Sequence, residues 1–160
     1  KNMVEYEFPG TQYTTDKLRW VWYDGAWAPP NDEVLPLPKD LKLPGQGSLF
    51  LGEKGVCLLP HVGDPVLFPQ QAFADYEPPQ VSGVNHYHQW VEACLGEGEA
   101  SAHFGYAGPL TEALLLGVVA NRFPEQKLEW DAANLKVTNL AEANELIRRK
   151  YRAGFEVENL

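Results

Sequence analysis

Five prolines within sixteen residues, at positions 29, 30, 36, 38 and 44, limit this chain more than any other feature. Each removes a backbone donor and fixes φ, so "APPNDEVLPLPKDLKLPGQG", residues 28 to 47, can be neither a central strand nor a long helix. It is read as a long loop or an edge cover, with a polyproline ligand as the other reading. Residues 60 to 83 are again rich in Pro and Gly and leave room for one short helical turn around "PQQAFADY".

The remaining segments of the first half alternate as strands do. In "MVEYEF" Val4, Tyr6 and Phe8 share one face and Met3, Glu5 and Glu7 the other. "KLRWVWYDG" sets Leu18, Trp20 and Trp22 against Arg19, Val21 and Tyr23 and closes on an Asp24-Gly25 turn signal. Apolar groups on both faces point to a central strand. "SLFLGEKGVCLLP" is a hairpin whose two apolar arms flank Gly52-Glu53-Lys54-Gly55.

After residue 83 the period becomes helical. A first helix starts from Asn85, an N-cap type, and stops at Gly96. A second is expected from Gly108-Pro109 through "LTEALLLGVVANR", with Pro at the first helical position. A third is expected over "LAEANELIRRKY", where Asn139 and Glu142 have capping-box spacing and Glu145 and Arg149 stand one turn apart. "KLEWD", with Leu128 and Trp130, reads as a late strand. Strands first, then helices with one strand returning, give an α+β fold: a largely antiparallel open sheet with helices packed on one face.

A formal charge of −9, with no basic stripe, disfavours nucleic acid and anionic membrane surfaces as partners. No apolar run approaches the roughly 20 residues that span a bilayer, so the chain is expected to be soluble, in the cytoplasm or periplasm. Cys57 and Cys94 form no CxxC and read as small buried hydrophobes. The chain opens at Lys1 without a Met and is read as one domain, residues 1 to 160, of a longer protein.

"NHYHQWVEACLG", residues 85 to 96, holds the candidates for chemistry. On a helix His86 and His88 stand about 200° apart and cannot chelate one ion together. Tyr87, Trp90, Val91, Ala93 and Cys94 form an apolar arc expected to face the core, with His86 at its edge and His88, Gln89 and Glu92 turned away. His86 is either a satisfied histidine at the core's rim or part of a substrate pocket. The octapeptide "ALLLGVVA", residues 113 to 120, is apolar in every direction and predicts a helix buried on all sides, under its own helical layer or under a second domain. Five tryptophans, at 20, 22, 27, 90 and 130, could build a sugar-stacking platform, but alternation assigns most of them to the core.

Catalytic spacings are missing. "GQGSLF" begins like a dinucleotide loop, but Phe50 stands where the third glycine belongs and no βαβ unit surrounds it. No P-loop, HExxH or GxSxG occurs.

Taken in order, "EYEFPG", "LRWVWYDG", "GSLFLGEKGVCLLP", "HQWVEACLGEGEASAHFGYAGPLTEALLLGVVANR", "KLEWDAANLKVTN" and "EANELIRRKYRAGF" closely resemble the C-terminal domain of bacterial oxidoreductases of the glucose–fructose oxidoreductase / inositol dehydrogenase (Gfo/Idh/MocA) family. The likeness runs over most of residues 3 to 155. It implies a parent enzyme whose N-terminal Rossmann domain, absent from this chain, binds NAD or NADP. The C-terminal domain would shape the pocket for a sugar, cyclitol or related polyol and use its sheet for homo-oligomer contacts. Glu53-Lys54 is followed by Gly55 and is not equated with the family's Glu-Lys-Pro segment, and neither His86 nor His88 fits its aspartate/histidine motif. No catalytic, cofactor or metal residue is therefore assigned. His86, His88 and Tyr106, at or near helix N-termini, are the expected substrate contacts. The competing class is a stand-alone carbohydrate-binding or protein-interaction module.

Overall fold

The computed structural model describes residues 1–29 and 37–157; residues 30–36, which include Pro30 and Pro36 of the proline-rich segment, and 158–160 lie outside the described residues. The chain divides into two compact units, one made of residues 1–22 and 84–160 and the other of 23–83. Helices and antiparallel strands coexist, so the fold is α+β as the pattern predicts. The strands are distributed over three small sheets instead of one.

In the first unit β1 (Asn2–Pro9) pairs with β2 (Lys17–Asp24), whose last two residues pass the unit boundary. Ion pairs Glu7–Lys17 (2.9 Å) and Glu5–Arg19 (2.7 Å) step in opposite directions along the two strands, which makes the pair antiparallel. They cover one face. Tyr6 and Trp20 stack on the other with ring centroids 4.6 Å apart, and Phe8 and Trp22 extend the aromatic row. Among the described residues β2 has β1 as its partner strand, so the central position expected for it is corrected to an edge. Its two-sided apolar character comes from Val21 and Tyr23, which are only half-buried.

Hydrogen bonds from the two basic side chains hold the Glu5 and Glu7 carboxyls below the usual carboxylate range. Asn134, through its side chain and backbone, does the same for Asp131. Such groups stabilise the fold when ionised and lose that contribution as pH falls through their folded-state values. At these exposures the contribution is small.

The α-helix α1 (His86–Leu95) begins and ends as expected. The Asn85 side-chain oxygen accepts from the Tyr87 and His88 amides, both at 3.0 Å, and Gly96 closes the helix at φ 78°. The helix α2 (Phe104–Ala120) starts five residues before the expected first helical residue, Pro109, and carries that proline inside it. The turn before the proline closes on the His103 carbonyl, which accepts from both Tyr106 and Ala107 at 2.9 Å. Pro109 has no N–H to give the ladder, and Gly105 stands where its ring would press on the preceding turn. β6 (Trp130–Asp131) and β7 (Lys136–Val137) form a two-residue ladder, and the first falls within the expected late strand.

The third helix is corrected to a 3-10 segment, Ala141–Leu146, and residues 147–157 carry no helix. Asn139 does not cap it. Its side chain accepts from the Glu129 amide (2.9 Å) and donates to the Lys127 carbonyl (2.7 Å). Asn144 grips Val137 from both sides, accepting from its N–H and donating to its carbonyl, each at 2.8 Å. Asn139 thus lengthens the β6–β7 pairing, and Asn144 stands beside β7 where a third strand would supply backbone.

The second unit is a meander. β3 (Gly47–Gly52) and β4 (Gly55–Pro60) pair through the predicted hairpin, and β5 (Val66–Phe68) pairs with β4. The expected short turn is present as a 3-10 segment, Gln70–Phe73. Gly55 is required by space: a Cβ there would meet the Phe68 carbonyl and the Phe73 ring. Leu37, Val56, Leu58 and Phe68 form the core, with Leu41, Leu43, Leu49 and Val66 packed around it.

Candidate functional site

The outer surface of α1 carries the groups best placed to meet a ligand. The helix buries none of its residues, and the arc expected to face the core faces water. Tyr87 is 78% and Trp90 64% exposed, and Val91 and Leu95 accompany them. Gln89 and Ala93 are half-buried, so the helix is turned relative to the expected arc. The physical cause is the Gln89 side chain, whose oxygen accepts from the Ser101 amide (3.2 Å) and the Ser101 hydroxyl (2.8 Å). A polar residue with two fixed donors takes the inner position, and the apolar arc is displaced outward.

Those two bonds tie the loop 97–103 to α1. Between them lies an open recess of about 500 Å³ lined by His86, Tyr87, Gln89, Trp90, Val91, Ala100 and Ala102. The His86 imidazole meets the Tyr87 ring edge-on, with centroids 5.5 Å apart and planes at 62°. His86 and Trp90 are one helical turn apart and share a face. The lining carries three aromatic rings, two small alanines that leave room, and polar groups on His86 and Gln89, with no lysine, arginine, aspartate or glutamate.

Of the three expected substrate contacts, His86 lies in this recess, while His88 and Tyr106 are exposed and do not line it. The reading of His86 as a histidine at the core's rim is corrected, since it is exposed. Trp90, assigned to a buried arc, and Gln89, assigned to solvent, are the residues that periodicity alone misplaced. An exposed partner twelve residues away in a loop gives no periodic signal. The tryptophans as a set are corrected too: Trp20 and Trp130 are half-buried and Trp22, Trp27 and Trp90 exposed. Cys57 is half-buried and Cys94 exposed, so neither is the buried hydrophobe expected.

The helix expected to be buried on all sides buries Gly117 alone. Leu110, Leu114 and Val118 recur every fourth residue along one exposed side of α2, with Leu115 beside them and Phe104 at 92% exposure at its start. Its inner side meets Tyr6 and Val4 at Gly117, and Glu112 accepts a 2.7 Å bond from the Trp130 indole.

Among the described residues, the one segment that begins like a dinucleotide loop does not make a nicotinamide-nucleotide cradle. Gly45-Gln46-Gly47 runs directly into β3 and its hairpin, where a dinucleotide loop must open a helix. No group of three metal-ligating side chains is assembled among the described residues, and no helix there is long and apolar enough to cross a membrane. Comparison with known proteins finds no family model, no curated protein and no solved structure that matches the chain.

Proposed function

We propose that this chain is the substrate-shaping C-terminal domain of an NAD(P)-dependent oxidoreductase of the Gfo/Idh/MocA type acting on a sugar, cyclitol or related polyol. Two things support the reading: the ordered set of motifs quoted above, and the apolar side of α2, whose five large exposed residues suit a domain that another domain covers. The second is the observation that carries it. The Rossmann domain of the parent would supply both the cover and the nicotinamide, which performs the hydride chemistry when bound. This chain's part is to bind and orient the polyol, and it is inactive alone. Homo-oligomer contacts through the sheet belong to the same reading.

The open reading frame that encodes the chain tests this. A dinucleotide fingerprint in the same frame is expected, along with polyol-dependent reduction of NAD or NADP by the full product. A full product inert with both nucleotides across a panel of sugars and cyclitols would remove the proposal. The recess on α1 favours a second reading, a carbohydrate-binding module that works alone. That reading gains if the chain binds sugars and its frame encodes no dinucleotide unit.

A further inference from the structure

We infer that the recess on α1 is a stacking site for the ring of a neutral sugar or cyclitol, with Trp90 as the platform and His86 as the hydrogen-bonding group that sets the ring's orientation. The inference deepens the proposed function and rests on it for the biological role of the ligand, but its argument starts from the lining.

A large indole left 64% exposed on a helix is unfavourable in water unless something covers it. Whatever covers Trp90 must also suit its neighbours. A saturated ring fits all of them, because its axial C–H groups present an apolar face to the indole and its hydroxyls project around the rim. The rim is where the polar groups stand. The His86 imidazole is one turn along the helix from Trp90, held edge-on by Tyr87, and Gln89 borders the same space. Ala100 and Ala102 form the far wall without filling it, and the Gln89–Ser101 bonds fix that wall relative to α1 before any ligand arrives. Gln89 is thus a positioning residue and Trp90 and His86 contact residues.

Charge narrows the ligand class. No lining residue carries a formal charge, and the chain as a whole is at −9. A nucleotide would bring phosphates to a recess without lysine or arginine, and a dicarboxylate or an ammonium ligand would find no counter-ion. A neutral polyhydroxylated ring needs neither. The recess is of the size usual for small-molecule sites, mostly apolar with a few polar groups that orient the ligand.

The test is calorimetric or saturation-transfer titration of the full 160-residue chain with glucose, with myo-inositol and, as the charged aromatic competitor, with adenosine monophosphate. Millimolar or tighter binding of at least one neutral ring is expected, weakened about tenfold or more in Trp90→Ala and in His86→Ala, with much of it restored in Trp90→Phe. Because both side chains are exposed, the variants should keep the parent's circular dichroism. Wild-type chain that binds neither ring, neutral-ring affinity unchanged in Trp90→Ala, or adenosine monophosphate bound more tightly than both rings overturns the inference. The two proposals fail separately. Polyol oxidation by the full gene product with KM unchanged in Trp90→Ala would remove this site and keep the proposed function. Binding lost in Trp90→Ala, with a full product inert toward both nucleotides, would keep the site and remove the oxidoreductase.

Discussion

Gly117 is the buried residue of α2, and the reason is a single neighbour. A Cβ at this position would fall on the Tyr6 hydroxyl, with the Val4 methyl 3.7 Å away. The glycine therefore lets the helix approach the aromatic face of β1, while burial of Tyr6 pushes its phenol pKa up and keeps the hydroxyl protonated. In an open helix Gly→Ala would gain about 1 kcal/mol. Here the clash wins, and Gly117→Ala is expected to destabilise the first unit by about 1–3 kcal/mol in urea unfolding. Tyr6→Phe in the same chain should recover part of the loss, since the nearest atom is the hydroxyl oxygen; a neutral or stabilising Gly117→Ala would contradict the packing. The sequence carried half of this. A glycine in "ALLLGVVA" costs helix stability and so needs a packing reason, but only the fold names Tyr6, more than a hundred residues away, as that reason.

Legibility of the elements depended on whether their controlling contacts were local. α1 was readable at both ends because Asn85 bonds amides two and three residues on and Gly96 takes its own left-handed turn. The β3–β4 hairpin was readable for the same reason. The segment after residue 139 was misread because Asn139 and Glu142 have the spacing of a capping box, while Asn139 is engaged by backbone ten and twelve residues back. Asn144 matters most there, since Val137 is 3% exposed and both of its backbone groups depend on the one amide. Asn144→Ala leaves a buried N–H and C=O unpaired and is expected to cost about 1–3 kcal/mol. Hydrogen exchange should show the Val137 amide losing protection first; unchanged protection would mean that backbone or water replaces the side chain. α2 is placed within two residues at its end and late at its start, because Pro109 resembles a helix opener and the preceding turn has no side-chain cap to announce it.

At the level of the whole molecule, α+β class and the break in character near residue 84 were legible, whereas burial was not. Hydrophobic periodicity tells which residues share a face but not whether anything covers it. Tyr87, Trp90, Phe104, Leu115 and Val118 are each 59% or more exposed. A chain with so much uncovered apolar surface should bind a hydrophobic dye such as anilinonaphthalene sulfonate while keeping its circular dichroism. Leu115→Lys, on the exposed side of α2, should lower dye binding at unchanged unfolding midpoint; a loss of several kcal/mol would show that Leu115 is internal instead. The division of the first unit between residues 1–22 and 84–160 has a further consequence, for biosynthesis. During translation the strands β1 and β2 leave the ribosome long before α2, with the whole of 23–83 made in between. The intervening meander has its own core and can finish early, closing the gap at a chain-entropy cost that grows only with the logarithm of its length. Until Gly117 emerges, Tyr6 waits without the helix that meets it, and in that interval a nascent chain would present the aromatic row it belongs to, with Phe8 and Trp20, to chaperones.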